Sequence, residues 1–107
     1  MTIHNREKIL IEDLFGSRAK TKIIKILALE GELNISKIIE LTKLNHGSVK
    51  KHLQFLLNNN LVKEKKFGRI KIYQFNFINI KAKAIKNIIQ LVEDDFNNNY
   101  QSNSDFD

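Results

Sequence analysis

Two of the three histidines in the chain lie in one short segment, NHGSVKKHLQFLLNNNLV, residues 45–62. Histidine binds metal ions and acts as a general base, so this pair is the first candidate for a metal or catalytic site. His46 and His52 are six residues apart, however, and a helix with about 3.6 residues per turn directs them well away from each other. His4 is remote in the sequence. A zinc site or a catalytic trio is therefore not predicted.

Other reactive groups give no better indication of an enzyme. The chain has no cysteine, which excludes disulfides, thiolate metal sites and cysteine nucleophiles. Ser48 lacks the strand-to-helix elbow that activates a serine nucleophile. No acid/base pair and no phosphate-binding loop can be found in the sequence. The sequence thus predicts no catalytic residue, no cofactor and no metal, and an enzyme is the least favoured class.

Positive charge is concentrated in one stretch of the chain. From Lys43 to Tyr73 there are eight basic residues and a single acid, Glu64, which gives this stretch a net charge of +7. The remaining residues include ten basic and eleven acidic ones, so the net charge of +6 lies entirely in this stretch. A solvated face usually mixes both signs. The segregation favours a surface that binds a polyanion, with an ordinary solvated face as the alternative.

The length of 107 residues predicts one domain, over residues 1–96. No apolar run approaches the roughly 18 residues that span a bilayer, and the first residues lack the layout of a signal peptide. We therefore expect a cytoplasmic protein with no membrane partner. Residues 97–107 have little apolar content, and they are expected to form a disordered tail.

The apolar periodicity predicts four helices, then a β-hairpin, then a last helix. Within the third helix we expect Ile35, Ile38 and Leu41 to face inward, and Asn60 to be left-handed at the end of the fourth. The first three predicted helices are 7–15, stopped by Gly16, 18–30, capped by Ser17 and ended by Gly31, and 35–44. The fourth helix is capped by Asn45 and carries the apolar stripe Val49, Leu53, Leu56 and Leu57. A hairpin of 61–67 and 69–77 around Gly68 follows, and then a helix from Asn79 to residue 96.

The segment GELNISKIIELTKLNHGSVKKHLQFLLNNNLVKEKKFGRIKIYQFN resembles winged helix-turn-helix transcription regulators, especially the ArsR-like group and small archaeal relatives. Its most specific part is the run L-N-x-x-S-V-x-x-H-L-x-x-L, followed by L-V and a basic hairpin. The resemblance implies an α+β, mostly α fold. It places a helix-turn-helix over 35–59, a two-stranded wing over 61–77 and a C-terminal helix over 79–96, with the first and last helices forming a dimer.

One departure from the family concerns metal binding. Metal-sensing members of the ArsR-like group have a Cys-x-Cys pair where this chain has Asn34 and Ser36, and the last helix contains no histidine. The common metal sites of the group are therefore not expected here. Whether a small-molecule effector exists is left open.

The resemblance implies a homodimeric, nucleoid-associated transcriptional regulator that binds double-stranded DNA sequence-specifically. A recognition helix would enter the major groove, and the wing would lie on the backbone or in the minor groove. Two alternatives remain, a chromatin-associated protein of low sequence specificity and a winged-helix protein-interaction module. The residues expected to contact DNA are His46, Gly47, Ser48, Lys50, Lys51 and Gln54 on the helix and Lys65, Lys66, Arg69 and Lys71 on the wing.

Two further expectations concern packing. His52 falls beside the apolar stripe of the recognition helix, where we expect a half-buried packing residue. The last helix has more apolar surface than a compact domain of this size readily covers, which favours a dimer interface over a helix packed entirely on its own core. The residues expected in that interface are Ile85, Ile88, Ile89, Val92 and Phe96.

Overall fold

The computed structural model describes residues 10–106, with side chains described as far as Asn98. The order of elements agrees with the predicted order, and the segment ELN, which leaves room for a very short extended piece, forms a short first strand. Within the described residues the elements are α1 (Ile11–Phe15), α2 (Arg18–Glu30), β1 (Glu32–Asn34), α3 (Ile35–Thr42), α4 (His46–Asn58), β2 (Val62–Phe67), β3 (Ile70–Phe75) and α5 (Ile80–Phe106). Residues 7–9 of the predicted first helix lie outside the described residues.

Side-chain caps fix where four of the helices begin. In each case a serine or asparagine oxygen accepts a hydrogen bond from a backbone N–H that the first helical turn leaves without an intrahelical partner. The predicted caps at Ser17, Asn45 and Asn79 are confirmed. The four bonds run from Lys20 N to Ser17 Oγ (3.2 Å), from Lys37 N to Asn34 Oδ1 (2.8 Å), from Ser48 N to Asn45 Oδ1 (2.7 Å) and from Lys81 N to Asn79 Oδ1 (2.8 Å).

Left-handed residues end the two helices of the helix-turn-helix. Asn60 has a φ of 60°, as predicted for the turn after α4. Lys43 has a φ of 62° and ends α3 at Thr42, two residues before the predicted end at 44. The Lys43 N–H bonds to the Ile39 carbonyl at 2.9 Å, which closes the last turn of α3.

The sheet has three antiparallel strands in the order β1-β3-β2. The predicted hairpin is confirmed, and β1 pairs with the base of β3, with Leu33 opposite Tyr73. The wing turns through two residues, Gly68 and Arg69. Gly68 has a φ of 62°, which suits a tight hairpin turn with glycine at its first position.

The core lies between the helices and one face of the sheet, and every element except β1 contributes a buried member; Leu33 of β1 is partly buried against it. In α3 the prediction for Leu41 is wrong, because its side chain is 44% exposed. Ile38 and Thr42, four residues apart, occupy the inward face instead. The Thr42 hydroxyl is buried without cost because it donates to the Ile38 carbonyl at 2.7 Å.

The last helix is longer than predicted. α5 continues to Phe106, so the prediction of a disordered tail over 97–107 is wrong for residues 97–106, and Asp107 lies outside the described residues. No glycine or proline occurs between residues 80 and 106 to stop the helix, and polar residues are compatible with a solvated helical turn. Two lysines tie α5 to α2: Lys25 pairs with Glu93 at 3.0 Å, and Lys86 donates to the Ala28 carbonyl at 2.9 Å.

Candidate nucleic-acid interface

The two faces of α4 differ sharply in burial. Its apolar stripe packs against α2, α3 and β2, and Val49, Leu53 and Leu56 are each at most 1% exposed. The opposite face is polar and open to solvent. Of the six residues predicted to contact DNA from this helix, five are exposed and one is half-buried: His46, Gly47, Lys50, Lys51 and Gln54, and then Ser48.

The first turn of α4 includes a glycine that the fold itself does not require. A Cβ atom built on Gly47 meets only the Asn45 Oδ1 atom, at 3.5 Å, which is an ordinary van der Waals contact. Glycine within a helix costs about 0.5–1 kcal/mol relative to alanine. The absence of a side chain at Gly47 therefore serves no packing purpose within the chain, and it leaves the start of α4 open to a partner.

Polar side chains on the outer face of α4 are already oriented by each other. The Gln54 Nε2 group donates to Asn58 Oδ1 across one turn, at 2.9 Å. Such pairs four residues apart stabilise a helix by a few tenths of a kcal/mol. A base that binds Gln54 therefore replaces the weak hydrogen bond between Gln54 and Asn58. It does not have to order a freely rotating side chain.

The wing places its predicted contact residues on two different faces. Lys66 and Lys71 are directly paired across the hairpin, so their side chains share one face. Lys65 points to the opposite face, where its Nζ atom lies 2.9 Å from Glu32 Oε1 on β1. Arg69 is exposed in the turn. The structure therefore groups Lys66, Arg69 and Lys71, and it separates Lys65 from them.

The single acid of the basic stretch is held on the sheet. Glu64 lies opposite Tyr73 in the register of β2 and β3. Burial raises the pKa of the Tyr73 phenol, and the neighbouring Glu64 carboxylate, which accepts its hydrogen bond, raises that pKa further. The tyrosine thus keeps its proton and satisfies the carboxylate, whose charge is directed at the sheet.

His52 is half-buried beside the apolar stripe, as predicted. Burial lowers the pKa of its imidazole, and the nearby charges of Lys20 and then Lys51 lower that pKa further. Lys20 is itself fixed, because its Nζ atom lies 3.7 Å from the centre of the Phe55 ring and donates to the Asp13 carbonyl at 2.6 Å. His52 is therefore a neutral packing residue of α4.

The sequence did not single out a group of lysines on the side of α2 and α3. A shallow hollow of about 240 Å³ is lined by Lys22, Lys25 and Lys43, with Ile26, Leu41 and Thr42 as its other lining residues. Lys25 forms an ion pair with Glu93. Lys22 could not be recognised from the sequence, because isolated lysines on the outer face of an amphipathic helix are ordinary.

The predicted dimer residues of α5 fall into two groups. Ile85, predicted in the dimer interface, is 6% exposed and belongs to the core, so little of its side chain is left for a partner. Ile89 is partly buried against the same core. The reason is the docking of α5 on α2 through a stripe that begins at Ala82. The predicted residues Ile88, Val92 and Phe96 are 60%, 62% and 65% exposed.

An apolar groove lies between α1 and α5, and Ile88 is the one of those three exposed residues that lines it. Its volume is about 260 Å³, and Lys81 is the one charged residue in its lining. The rest of the lining is apolar: Ile11, Leu14, Phe15, Ala84, Ile85 and Ile88. Ile88 belongs both to the groove and to the exposed apolar residues of α5.

The described part of the chain contains neither a cluster of metal-binding side chains nor a membrane-spanning helix. No three residues among histidine, aspartate and glutamate come together there in a way that could hold a metal ion. None of the helices described is both long and apolar enough to cross a membrane.

The sequence profile of the RNA polymerase III subunit RPC82 helix-turn-helix domain matches residues 7–63. The chain is also 32% identical over 80 residues to an uncharacterised HTH-type transcriptional regulator of Methanocaldococcus jannaschii. The aligned part covers 75% of this chain and 84% of that relative. The chain belongs to the helix-turn-helix transcriptional regulators.

Solved structures identify the subclass of fold. HlyU from Vibrio cholerae superposes with a TM-score of 0.68 at 17% identity, over 86% of this chain and 97% of HlyU. The transcriptional repressor PagR of Bacillus anthracis superposes with a TM-score of 0.64 at 23% identity, over 86% of this chain and 99% of PagR. The winged helix-turn-helix fold implied by the sequence is confirmed.

The lowered pKa of His52 predicts how the stability of this helix-turn-helix protein depends on pH. The unfolded chain binds a proton at His52 near pH 6.5, whereas the folded chain resists it until lower pH. Stability should therefore be full above about pH 6.5 and fall as the pH drops through the folded pKa. Urea midpoints measured between about pH 7 and pH 5 should show this loss, and His52→Gln should reduce it.

The matched control is Gln54→Ala, which changes an exposed side chain of the same helix that does not titrate. It should keep the pH dependence of the unmodified protein. If His52→Gln and the unmodified protein lose stability in parallel, His52 is not the group responsible.

Proposed function

We propose that the protein is a homodimeric transcriptional regulator that binds double-stranded DNA in a sequence-specific manner, and that it acts on the cytoplasmic nucleoid without catalysing a reaction. The observation that carries the proposal is the two-faced burial of α4. One face is fixed in the core through Val49, Leu53 and Leu56, and the opposite face is exposed, polar and lysine-bearing. This face lies within the stretch whose net charge is +7.

On this proposal α4 is the recognition helix. An α-helix fits the major groove of B-DNA, where glutamine pairs with the edge of adenine and lysine with guanine or phosphate. Gln54 and Lys51 are the exposed side chains placed for base edges. His46 and Ser48, in the first turn, are placed for phosphate, and Gly47 lets the DNA backbone approach closely.

The wing supplies contacts that do not depend on base sequence. Lys66 and Lys71 share a face of the hairpin, and Arg69 is at its turn, so all three can neutralise phosphates along one groove. Lys65 is the weakest of the predicted contacts, because its ammonium group already pairs with Glu32.

The dimer part of the proposal rests on exposed apolar side chains. Ile11 on α1 and Ile88, Leu91 and Val92 on α5 are each at least 60% exposed, and Ile11 and Ile88 line the apolar groove between the two helices. Large contiguous apolar patches on a small protein mark interaction sites. A twofold pair of recognition helices about 34 Å apart would read an inverted repeat, which one helix alone cannot discriminate from the many non-specific sites.

A second candidate is a DNA-binding protein with little sequence preference. The observation that favours it is the bond between Gln54 and Asn58, which occupies one of the few base-reading groups on α4. A pure protein-interaction module is less well supported, because it has no need for a charge of +7 concentrated on one helix and its wing.

The first test of DNA binding is its dependence on salt. Phosphate contacts by Lys50, Lys51, Lys66, Arg69 and Lys71 would give a log–log slope of roughly −4.5 per subunit, at about −0.9 for each contact. Fluorescence anisotropy of a labelled duplex in a salt titration measures this slope. Lys71→Gln should make it less steep by about 0.9.

Lys65→Gln is the matched control for the salt titration, since Lys65 is already paired with Glu32. It should change the slope less than Lys71→Gln does. A slope near zero for the unmodified protein would refute DNA binding.

The second test separates the two candidates. Genomic fragments selected by the protein should include a preferred site, and Gln54→Ala should reduce discrimination at that site by about 1–3 kcal/mol. Lys66→Gln should instead weaken binding to preferred and random duplexes about equally. If random duplex competes as well as any selected fragment, the protein of low sequence specificity is the correct reading.

The third test concerns the dimer. Val92→Glu places a charge in the exposed apolar surface of α5, where burial of each such side chain contributes about 1.5–3 kcal/mol before association costs are subtracted. Sedimentation should show the unmodified protein as a dimer and the variant as a folded monomer that binds DNA more weakly. Asn87→Glu adds the same charge at an exposed polar position of α5 and should remain dimeric. An unmodified protein that is monomeric at micromolar concentration would contradict this arrangement.

A further inference from the structure

The tip of the wing exposes two large apolar side chains. Phe67 is the last residue of β2 and Ile70 the first of β3, and they are 62% and 56% exposed. The two residues are directly paired in the antiparallel register, so their side chains lie next to each other on the same face. Neither belongs to the hydrophobic core of the described residues.

The geometry of the turn keeps this pair at the extremity of the wing. Only Gly68 and Arg69 separate the two strands, and the positive φ of Gly68 makes the reversal tight. A two-residue turn is too short to fold back over the apolar pair. Phe67 and Ile70 are therefore the apolar side chains that a partner of the wing meets first.

The surroundings of the pair are cationic. Lys66 precedes Phe67, Arg69 lies in the turn, and Lys71 follows Ile70; Lys66 and Lys71 point to the opposite face of the hairpin from the apolar pair. The acid nearest in the sequence, Glu64, is hydrogen-bonded to Tyr73. A tip with an apolar pair on one face, two lysines on the other face and an arginine in the turn is complementary to a polyanion with an apolar interior. Duplex DNA has this composition, because its stacked bases lie behind two rows of phosphates.

We propose that Phe67, supported by Ile70, forms an apolar wedge that enters the minor groove between two base pairs, unstacks them and bends the duplex. The wedge rests on the proposed DNA-binding function and extends it to a preference for deformable DNA. Apolar side chains inserted in this way kink DNA by about 20–90°. Pyrimidine–purine steps such as TA unstack most easily, so the wing should favour such a step at its contact.

A lipid surface is a poorer match for the same tip. An acidic membrane would also attract lysines around an aromatic residue. The charged stretch, however, continues into the exposed face of α4, where Gln54 and Asn58 present amide groups that suit base edges and have no counterpart in a lipid headgroup layer.

The experiment uses a duplex of about 30 base pairs with a donor and an acceptor dye at its ends and a central TA step containing 2-aminopurine. Binding of the full-length protein should raise the energy transfer, because bending brings the ends together, and should raise the 2-aminopurine fluorescence, because the step unstacks. Phe67→Thr, which retains strand propensity, should lose both signals. Its affinity should fall about tenfold, equivalent to about 1.4 kcal/mol, while its salt dependence stays unchanged.

Two further variants control for the loss of an exposed apolar side chain elsewhere and for the charge of the wing tip. Ile78→Thr removes an apolar side chain that is 79% exposed in the connection between β3 and α5, beyond the other end of β3 from the wing tip, and it should leave both signals intact. Phe67→Lys adds a positive charge at the tip, so it should bind random duplex at low salt at least as well as the unmodified protein and yet fail to bend it. Circular dichroism checks that each variant is folded. If Phe67→Thr does not fold, the bending and unstacking signals of Phe67→Lys test the wedge instead.

The outcomes separate the wedge from the proposed function. Binding with the expected salt dependence, but with neither bending nor unstacking, overturns the wedge and leaves the proposed function standing. Absence of any duplex binding overturns both. The wedge is also overturned if Phe67→Thr bends DNA normally but loses binding to phosphatidylserine vesicles, or if it changes only the sedimentation of the free protein, since the tip would then serve a membrane or a second copy.

Discussion

The apolar face of α4 packs against α2, α3 and the start of β2 through Val49, Leu53 and Leu56, none of which is more than 1% exposed. This contact fixes the rotation of α4 about its own axis. A helix whose rotation is fixed presents one defined set of outward residues, so the exposure of Lys51 and Gln54 follows from the burial of the stripe behind them. The proposed reading of bases depends on this contact more than on any single polar group.

A cluster of asparagines connects α4 to the helix that is proposed to form the dimer. The left-handed Asn60 ends the turn after α4, and its carbonyl accepts bonds from Asn76 Nδ2 at 2.8 Å and from Asn79 Nδ2 at 3.1 Å. Asn79 also caps α5. Asn79 thus caps the start of α5 and also hydrogen-bonds to the turn that ends α4. These bonds fix the position of α5 relative to α4. A twofold axis on α5 would thereby set the spacing of two recognition helices.

The local features of this fold could be predicted from the sequence, whereas its tertiary pairings could not. The caps at Ser17 and Asn45 and the left-handed Asn60 depend on a few neighbouring residues, and all three predictions are confirmed. Ile85 and Val92 occupy the same helical stripe, and only the docking of α5 buries one and leaves the other exposed. Similarly, the partner of Lys65 is a residue 33 positions away, which a charge pattern along the chain cannot identify. The sequence did not predict the helix beyond residue 96, because the residues there have too little apolar periodicity to indicate a helix. They also contain no glycine or proline that would stop one.

Affinity and specificity would come from different residues in this small protein. Lysines on α4 and the wing attract any duplex, and their contribution depends on phosphate charge rather than on base sequence. The base-reading groups on α4 are few, and the Gln54 amide already donates to Asn58. Direct contacts from one such helix discriminate among only a few base pairs. Deformation of DNA at the apolar wing tip, and the spacing imposed by a dimer, would each add discrimination without a further hydrogen bond to a base, because both depend on the shape and flexibility of the site.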